Sequence, residues 1–127
     1  MNCILDTHTL IWFLEGNQLL SLNAREAIEN QSHTKYISIA SLWEIAIKMS
    51  LGKLILRKPL AEFLSDVSLT EFEILQINFS HILRISQLDF LHKDPFNRVI
   101  ISQSLEEGLT IISKDENFPL YNVDLYR

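Results

Sequence analysis

Short apolar segments alternate with amphipathic helical segments along the whole chain, and this alternation is the feature that most restricts the fold. The predicted strands are Asn2 to Leu5, Lys35 to Ile39, Phe72 to Ile77 and Leu109 to Ser113, with a short fifth strand from Val123. Predicted helices cover 7–15, 21–29, 41–50, 60–67, 80–88 and 95–107. Strands separated by helices form a mostly parallel sheet, because each helical crossover returns the chain to the same end. The sequence therefore predicts an α/β protein with three α/β/α layers and four to five strands.

The length and composition favour one domain in a reducing compartment. No Gly, Pro or Ser run marks a linker, so residues 1–127 are expected to form a single domain. The single cysteine, Cys3, excludes an internal disulfide. The sequence lacks a signal-peptide pattern and a membrane-length apolar run, which predicts a cytoplasmic protein with no membrane partner. A net charge of -5 argues against nucleic-acid binding through a broad basic surface.

Four acidic residues occupy positions at which α/β sheets present functional groups. Asp6 follows the first predicted strand, Asp115 follows the fourth, and Asp94 precedes the last helix, while Glu44 lies one turn into the helix after the second strand. Functional side chains of such sheets gather at the carboxyl ends of the strands, so we expect all four acids to face one edge. Structural roles remain open for three of them, since Asp6 and Asp94 suit helix N-caps and Asp115 suits a loop.

Glu44 has the weakest structural explanation of the four. It lies between Trp43 and Ile45 in a helix that is apolar on nearly every face. Burial would desolvate its carboxylate and make a cation or a hydrogen-bonding partner necessary, whereas an exposed helix face would not. Glu44 is therefore predicted to belong to a charged site.

Four segments, in the same order as in the family, resemble the PIN domain, specifically VapC-type ribonuclease toxins of bacterial toxin-antitoxin pairs. They are Ile4-Leu5-Asp6-Thr7, Ser41-Leu42-Trp43-Glu44-Ile45-Ala46, His92-Lys93-Asp94-Pro95-Phe96-Asn97-Arg98 and Gly108-Leu109-Thr110-Ile111-Ile112-Ser113-Lys114-Asp115. The resemblance implies a PIN-like nuclease domain with an antitoxin partner. It also implies that Asp6, Glu44, Asp94 and Asp115 bind Mg²⁺ or Mn²⁺, oxygen-preferring cations that activate water for hydrolysis of RNA.

The resemblance also extends to supporting residues, with one departure. Thr7 would orient a water molecule, Ser113 is the hydroxyl residue before the last acid, and Arg98 would meet a carboxylate or phosphate. Helix caps and a surface salt bridge are the plainer alternatives. Where the family pattern usually reads Asp-Pro-Phe-Asp-Arg, this chain has Asn97 in place of the second Asp. An amide oxygen is an uncharged ligand, so either Asp94 carries the anionic role, which we favour, or the site is weakened.

Apolar residues are more numerous than a small core requires. The aromatic residues Trp12, Phe13, Trp43 and Phe63 fall within helical apolar stripes and are assigned to the core. The helices around 10–22 and 42–56 nevertheless carry surplus apolar side chains. This surplus predicts a homodimer or a groove for an antitoxin.

Three other functions compete with a nuclease. A phospho-accepting receiver domain would need an Asp after the third strand, where the chain reads Asn78-Phe79-Ser80. A phosphatase of the Asp-x-Asp type would need an acid where His8 stands. A PIN-like module that binds RNA or protein without cutting is a third alternative, motivated by Asn97.

Overall fold

Five parallel strands form the centre of the computed structural model, which describes residues 1–127. The strands are β1 (Asn2–Leu5), β2 (Thr34–Ser38), β3 (Glu73–Leu75), β4 (Thr110–Ile112) and β5 (Leu125–Tyr126). Their order in the sheet is β3-β2-β1-β4-β5, and every neighbouring pair is parallel. The central strand β1 therefore lies between β2 and β4, where the strand order changes direction. Such a point opens a crevice at the carboxyl ends of the strands.

Six α-helices connect and cover the sheet. They are α1 (Thr7–Glu15), α2 (Leu22–Glu29), α3 (Ile39–Ser50), α4 (Leu60–Ser68), α5 (Phe79–Gln87) and α6 (Pro95–Glu107), followed by a 3-10 turn at Phe118–Leu120. The mostly parallel three-layer α/β fold predicted from the sequence is confirmed. The strand order also differs from the 2-1-3-4-5 order of receiver domains, which removes that alternative.

Several elements differ from the predictions by one or two residues at their ends, and one contact explains the start of α3 and the end of β3. The side chain of Ser38 accepts a hydrogen bond from the Ala40 N–H at 3.1 Å, so α3 begins at Ile39 rather than at Ser41. Because the chain turns into α3 there, β2 offers no further backbone partners. The neighbouring edge strand β3 therefore ends at Leu75, opposite Ser38, instead of continuing to Ile77.

Apolar side chains alternate between the two faces of the sheet and form two clusters. Leu5, Ile37 and Ile112 lie in the cluster with helices α1 to α4. Ile4 and Ile111 lie in the cluster with α6 and the C-terminal segment, and α5 packs against α6. This alternation is expected where both faces of a sheet are covered. None of the helices combines the length and the apolar character needed to span a membrane.

Helix ends next to the sheet edge carry strong local signals. Asp6 and Asp94 are the N-caps of α1 and α6, and Pro95 occupies the first turn of α6. Gly108 ends α6 in the left-handed conformation, at φ 66°, which residues with a side chain rarely adopt. These signals place the starts of α1 and α6 beside β1 and β4.

Candidate active site

The candidate site begins at Asp6, directly after the central strand. The Asp6 N–H donates to the Ile112 carbonyl oxygen at 3.3 Å, which extends the pairing of β1 with β4 to this residue. Its Oδ1 accepts from the Thr9 N–H at 3.0 Å, and its Oδ2 accepts from the Ser113 hydroxyl at 2.6 Å. The carboxylate is thereby held rigidly at the carboxyl edge of the sheet, where the crevice is expected.

Asp6 is a buried carboxylate that no positively charged side chain contacts. It is only 4% exposed. Burial raises the pKa of Asp6 above its ordinary value of 3.8, against the opposing effect of the hydrogen bonds from Ser113 and Thr9. A carboxylate with these surroundings is stabilised in its charged form by a bound cation.

Asp115 lies beside Asp6 and opens into the same surface pocket. The Asp115 N–H donates to Ser113 Oγ at 2.9 Å, so one hydroxyl group connects the two acids. The Asn97 amide donates to Asp115 Oδ2 at 3.2 Å, and the Asn117 N–H donates to Oδ1 at 2.8 Å. The pocket has a volume of about 230 Å³ and is lined by Asp6, His8, Trp12, Lys114 and Asp115. Lys114 directs its ammonium group to the Leu19 carbonyl oxygen at 2.6 Å.

Glu44 is buried one helix away and is connected to the start of α1. It is 3% exposed, in agreement with the desolvated position predicted for it. Its Oε1 accepts from the Thr7 hydroxyl at 2.6 Å, and its Oε2 lies 2.5 Å from the ammonium nitrogen of Lys48. Thr7 Oγ1 also lies 3.0 Å from Ser41 Oγ. Sequence reasoning did not select Lys48, although its position four residues after Glu44 is typical of helical ion pairs.

Asp94 supports the start of α6. Its Oδ1 accepts from the N–H groups of Phe96 and Asn97, at 2.9 and 3.1 Å. The N-cap considered from the sequence is therefore present. Asn97, rather than Asp94, provides the contact between α6 and Asp115.

The arrangement presents oxygen donors to a cation without a closed cage of acids. No group of three or more His, Cys, Asp or Glu side chains converges in metal-binding geometry. Asp6 and Asp115 share the pocket. Glu44 is connected to Asp6 only through the neighbouring Thr7, whose hydroxyl it accepts a hydrogen bond from, and Asp94 accepts a hydrogen bond from the first turn of α6. Carboxylate and amide oxygens with a buried, unpaired Asp6 fit a hard divalent cation such as Mg²⁺ or Mn²⁺.

Arg98 lies in the interior rather than in a surface salt bridge. It is 8% exposed, and its Nη1 donates to the Asp89 carbonyl oxygen at 3.0 Å and to the Tyr121 hydroxyl oxygen at 3.1 Å. The guanidinium carbon also lies 5.0 Å from the centre of the Phe90 ring. No carboxylate pairs with Arg98, so its contacts fasten the loop before Asp94 to α6 and to the C-terminal segment.

Replacing Arg98 should destabilise the protein markedly. Arg98→Met removes the charged donor from the Asp89 carbonyl oxygen and from the hydroxyl of the buried Tyr121, which should lower the free energy of unfolding by roughly 2–3 kcal/mol. Urea unfolding measures the change. Arg25→Met is the matched control, since Arg25 pairs with Glu29 on the surface at 3.7 Å and should change stability by under about 1 kcal/mol. Equal unfolding midpoints for the two variants would contradict the role given to Arg98.

One of the four aromatic residues assigned to the core lies at the surface. Phe63 is 3% exposed, and Trp12 and Phe13 are partly buried against the core. Trp43 is 57% exposed and packs in an edge-to-face arrangement with Phe96, with ring centroids 5.2 Å apart, so its assignment to the core is wrong. The surplus of apolar residues is present on the surface, where Leu19, Leu22, Leu51 and Ile55 are also exposed.

Comparison with known proteins identifies one family and one fold. The model of the PIN domain family matches residues 3–123. No curated protein matches the sequence of the chain.

Several solved structures have the same fold at low sequence identity. VapBC2 from Rickettsia felis, bound to a DNA fragment from its promoter, is 18% identical with a TM-score of 0.74, over 99% of this chain and 98% of that one. A toxin-antitoxin complex from Klebsiella pneumoniae is 18% identical with a TM-score of 0.68, over 98% and 96%. DNA-bound VapBC from Salmonella typhimurium is 18% identical with a TM-score of 0.73, over 99% and 97%.

Proposed function

The chain belongs to the PIN domain family, and we propose that it is a divalent-metal-dependent endoribonuclease acting as the toxin of a toxin-antitoxin pair. The observation that carries the proposal is the buried carboxylate of Asp6, which lacks a positive partner and shares a pocket with Asp115. Such a carboxylate costs folding free energy unless it binds a cation. Its position at the strand order reversal, where α/β sheets bind ligands, supports a functional site.

The residues of the site have different roles in the proposed reaction. Asp6 and Asp115 would hold Mg²⁺ or Mn²⁺, and Asp94 and Glu44 are the further acids of the proposed site. When bound, the cation supplies Lewis acidity and a more acidic water molecule for attack on an RNA phosphodiester. Ser113 holds Asp6 and the backbone of Asp115 in register, so that both carboxylates face the pocket.

Thr7 and Asn97 are proposed as positioning residues. Thr7 donates to Glu44 and directly follows Asp6, which couples the two acids. Asn97 donates to Asp115 through the amide nitrogen and so fixes the orientation of that carboxylate. Neither side chain brings charge, so the negative charge that attracts the cation comes from the acids.

An antitoxin and a second copy of the chain are the proposed protein partners. One structural neighbour is a toxin-antitoxin complex. Exposed Leu19, Leu22, Trp43, Leu51 and Ile55 provide apolar surface of the kind that partner proteins cover.

A nuclease assay with purified chain, freed of any antitoxin, tests the proposal. Single-stranded and structured RNA should be cleaved internally with Mg²⁺ or Mn²⁺ and should remain intact with EDTA. Cleavage that persists in EDTA would contradict metal dependence. RNA that binds without being cut under every metal condition would favour a non-cleaving PIN-like module, the second candidate, which Asn97 motivates.

A further inference from the structure

The side chain of Lys48 contacts Glu44, one of the four acids of the proposed site. Lys48 and Glu44 stand four residues apart on α3, and Lys48 Nζ is 2.5 Å from Glu44 Oε2. The Glu44 side chain is 3% exposed and that of Lys48 is 35% exposed. An ion pair with one partner buried is screened weakly by solvent, so the lysine neutralises Glu44 effectively.

The two most buried acids therefore differ in charge balance. Both oxygens of Glu44 are occupied, one by the Thr7 hydroxyl at 2.6 Å and the other by the Lys48 ammonium group. The oxygens of Asp6 accept only from neutral groups, the Thr9 N–H and the Ser113 hydroxyl. The negative charge of Asp6 thus remains available to a divalent cation. The negative charge of Glu44 is already compensated by Lys48.

Asn97 keeps the surroundings of Asp115 less negative than a carboxylate at that position would. Its neutral amide meets Asp115 Oδ2 at 3.2 Å, where a carboxylate would add a further charge. Nucleases with two metal ions hold them roughly 3.5–4 Å apart, a separation that needs several anionic oxygens to offset the repulsion. With Asn97 uncharged and Glu44 paired, the site has charge for one such ion.

We propose that the Lys48 ammonium group takes the place of a second divalent cation, so that the chain binds one Mg²⁺ or Mn²⁺ ion, at Asp6 and Asp115. This inference rests on the proposed metal-dependent function. Lys48 acts as a positioning residue: it keeps Glu44 compensated and bonded to Thr7 whether or not the other half of the site holds a metal ion. Removing the lysine charge exposes Glu44 to a second ion.

Mn²⁺ binding to the full chain without RNA provides the test. Calorimetric titration, with free Mn²⁺ counted by electron paramagnetic resonance, should give one ion per wild-type chain. Lys48→Met keeps the apolar stem and removes the charge, so its stoichiometry should rise to two. The double variant Lys48→Met with Glu44→Gln should return to one. Lys53→Met, an exposed lysine just after α3, is the matched control and should remain at one.

The outcomes separate this inference from the proposed function. Two ions on the wild-type chain together with RNA cleavage would overturn the inference and leave the nuclease standing. One ion on the folded Lys48→Met variant would also overturn it. If that variant fails to fold, Lys48→Gln, which keeps a hydrogen-bond donor without charge, should bind two, and one ion there is equally decisive. A wild-type chain that binds no Mn²⁺ would overturn both.

Discussion

Asp6→Asn is expected to abolish RNA cleavage while making the metal-free protein more stable at neutral pH. The amide keeps an oxygen for the Thr9 N–H and can donate to Ser113 Oγ, so the local hydrogen bonds persist. Loss of one preorganised charged group typically lowers catalysis by about 100-fold or more. RNA cleavage by the two purified proteins at equal Mn²⁺ concentration measures the loss.

The stability gain has a defined pH dependence. Burial raises the pKa of Asp6 in the folded chain above its ordinary value of 3.8. The wild-type side chain therefore favours folding only while it is protonated, and this contribution is lost as the pH rises through the raised pKa. The difference in unfolding midpoint between variant and wild type should be largest at neutral pH and should vanish below about pH 3.8.

Added Mn²⁺ should make the wild-type chain the more stable of the two, because only the wild-type chain gains binding energy from the ion. Asp124→Asn is the matched control, since Asp124 is exposed and lies outside the pocket. That variant should retain both cleavage and the wild-type pH profile. An Asp6→Asn protein that cuts RNA normally, or that is less stable than wild type at neutral pH without metal, would contradict the assignment.

Asn97→Asp should strengthen metal binding and weaken the metal-free fold. The amide nitrogen that now lies 3.2 Å from Asp115 Oδ2 is replaced by a carboxylate oxygen, which turns an attraction into a repulsion. A bound cation removes the repulsion, so Mn²⁺ affinity should rise by about tenfold or more, the size typical of changes next to a metal ligand. Calorimetric titration and urea unfolding with and without Mn²⁺ measure both effects.

The control for this substitution is Asn122→Asp, which makes the same chemical change at an exposed position. It should leave Mn²⁺ affinity unchanged. Unchanged affinity in Asn97→Asp would instead mean that Asp94 already supplies the anionic charge, despite its bonds to the start of α6.

The parts of the molecule predicted correctly are those that local chemistry determines. Asp94 and Pro95 are strong signals for a helix start, and Gly108 for its end, so α6 was located residue by residue. Asp6 was placed at the sheet edge because an apolar strand ends directly before it. The contact between Lys48 and Glu44 also follows from a local signal, because residues four apart on a helix are neighbours.

The features that were missed depend on partners distant in the sequence. Trp43 belongs to an apolar helix, and periodicity cannot tell which face another layer covers. The surroundings of Arg98 consist of loop carbonyls and Tyr121, which become neighbours only in the folded chain. The length of β3 depends on where its partner β2 ends, so the apolar pattern of 72–77 predicts a longer strand than the one that forms.

The pairing of β1 with β4 also determines at which stage of synthesis the proposed toxin can become active. Asp6 is synthesised 107 residues before Ser113, and Ser113 and Asp115 complete its surroundings. Contacts between such distant residues cannot form until the intervening chain is available. A nascent chain that ends before Ser113 and Asp115 would thus lack the proposed site, and an antitoxin would need to act only on chains that contain these residues.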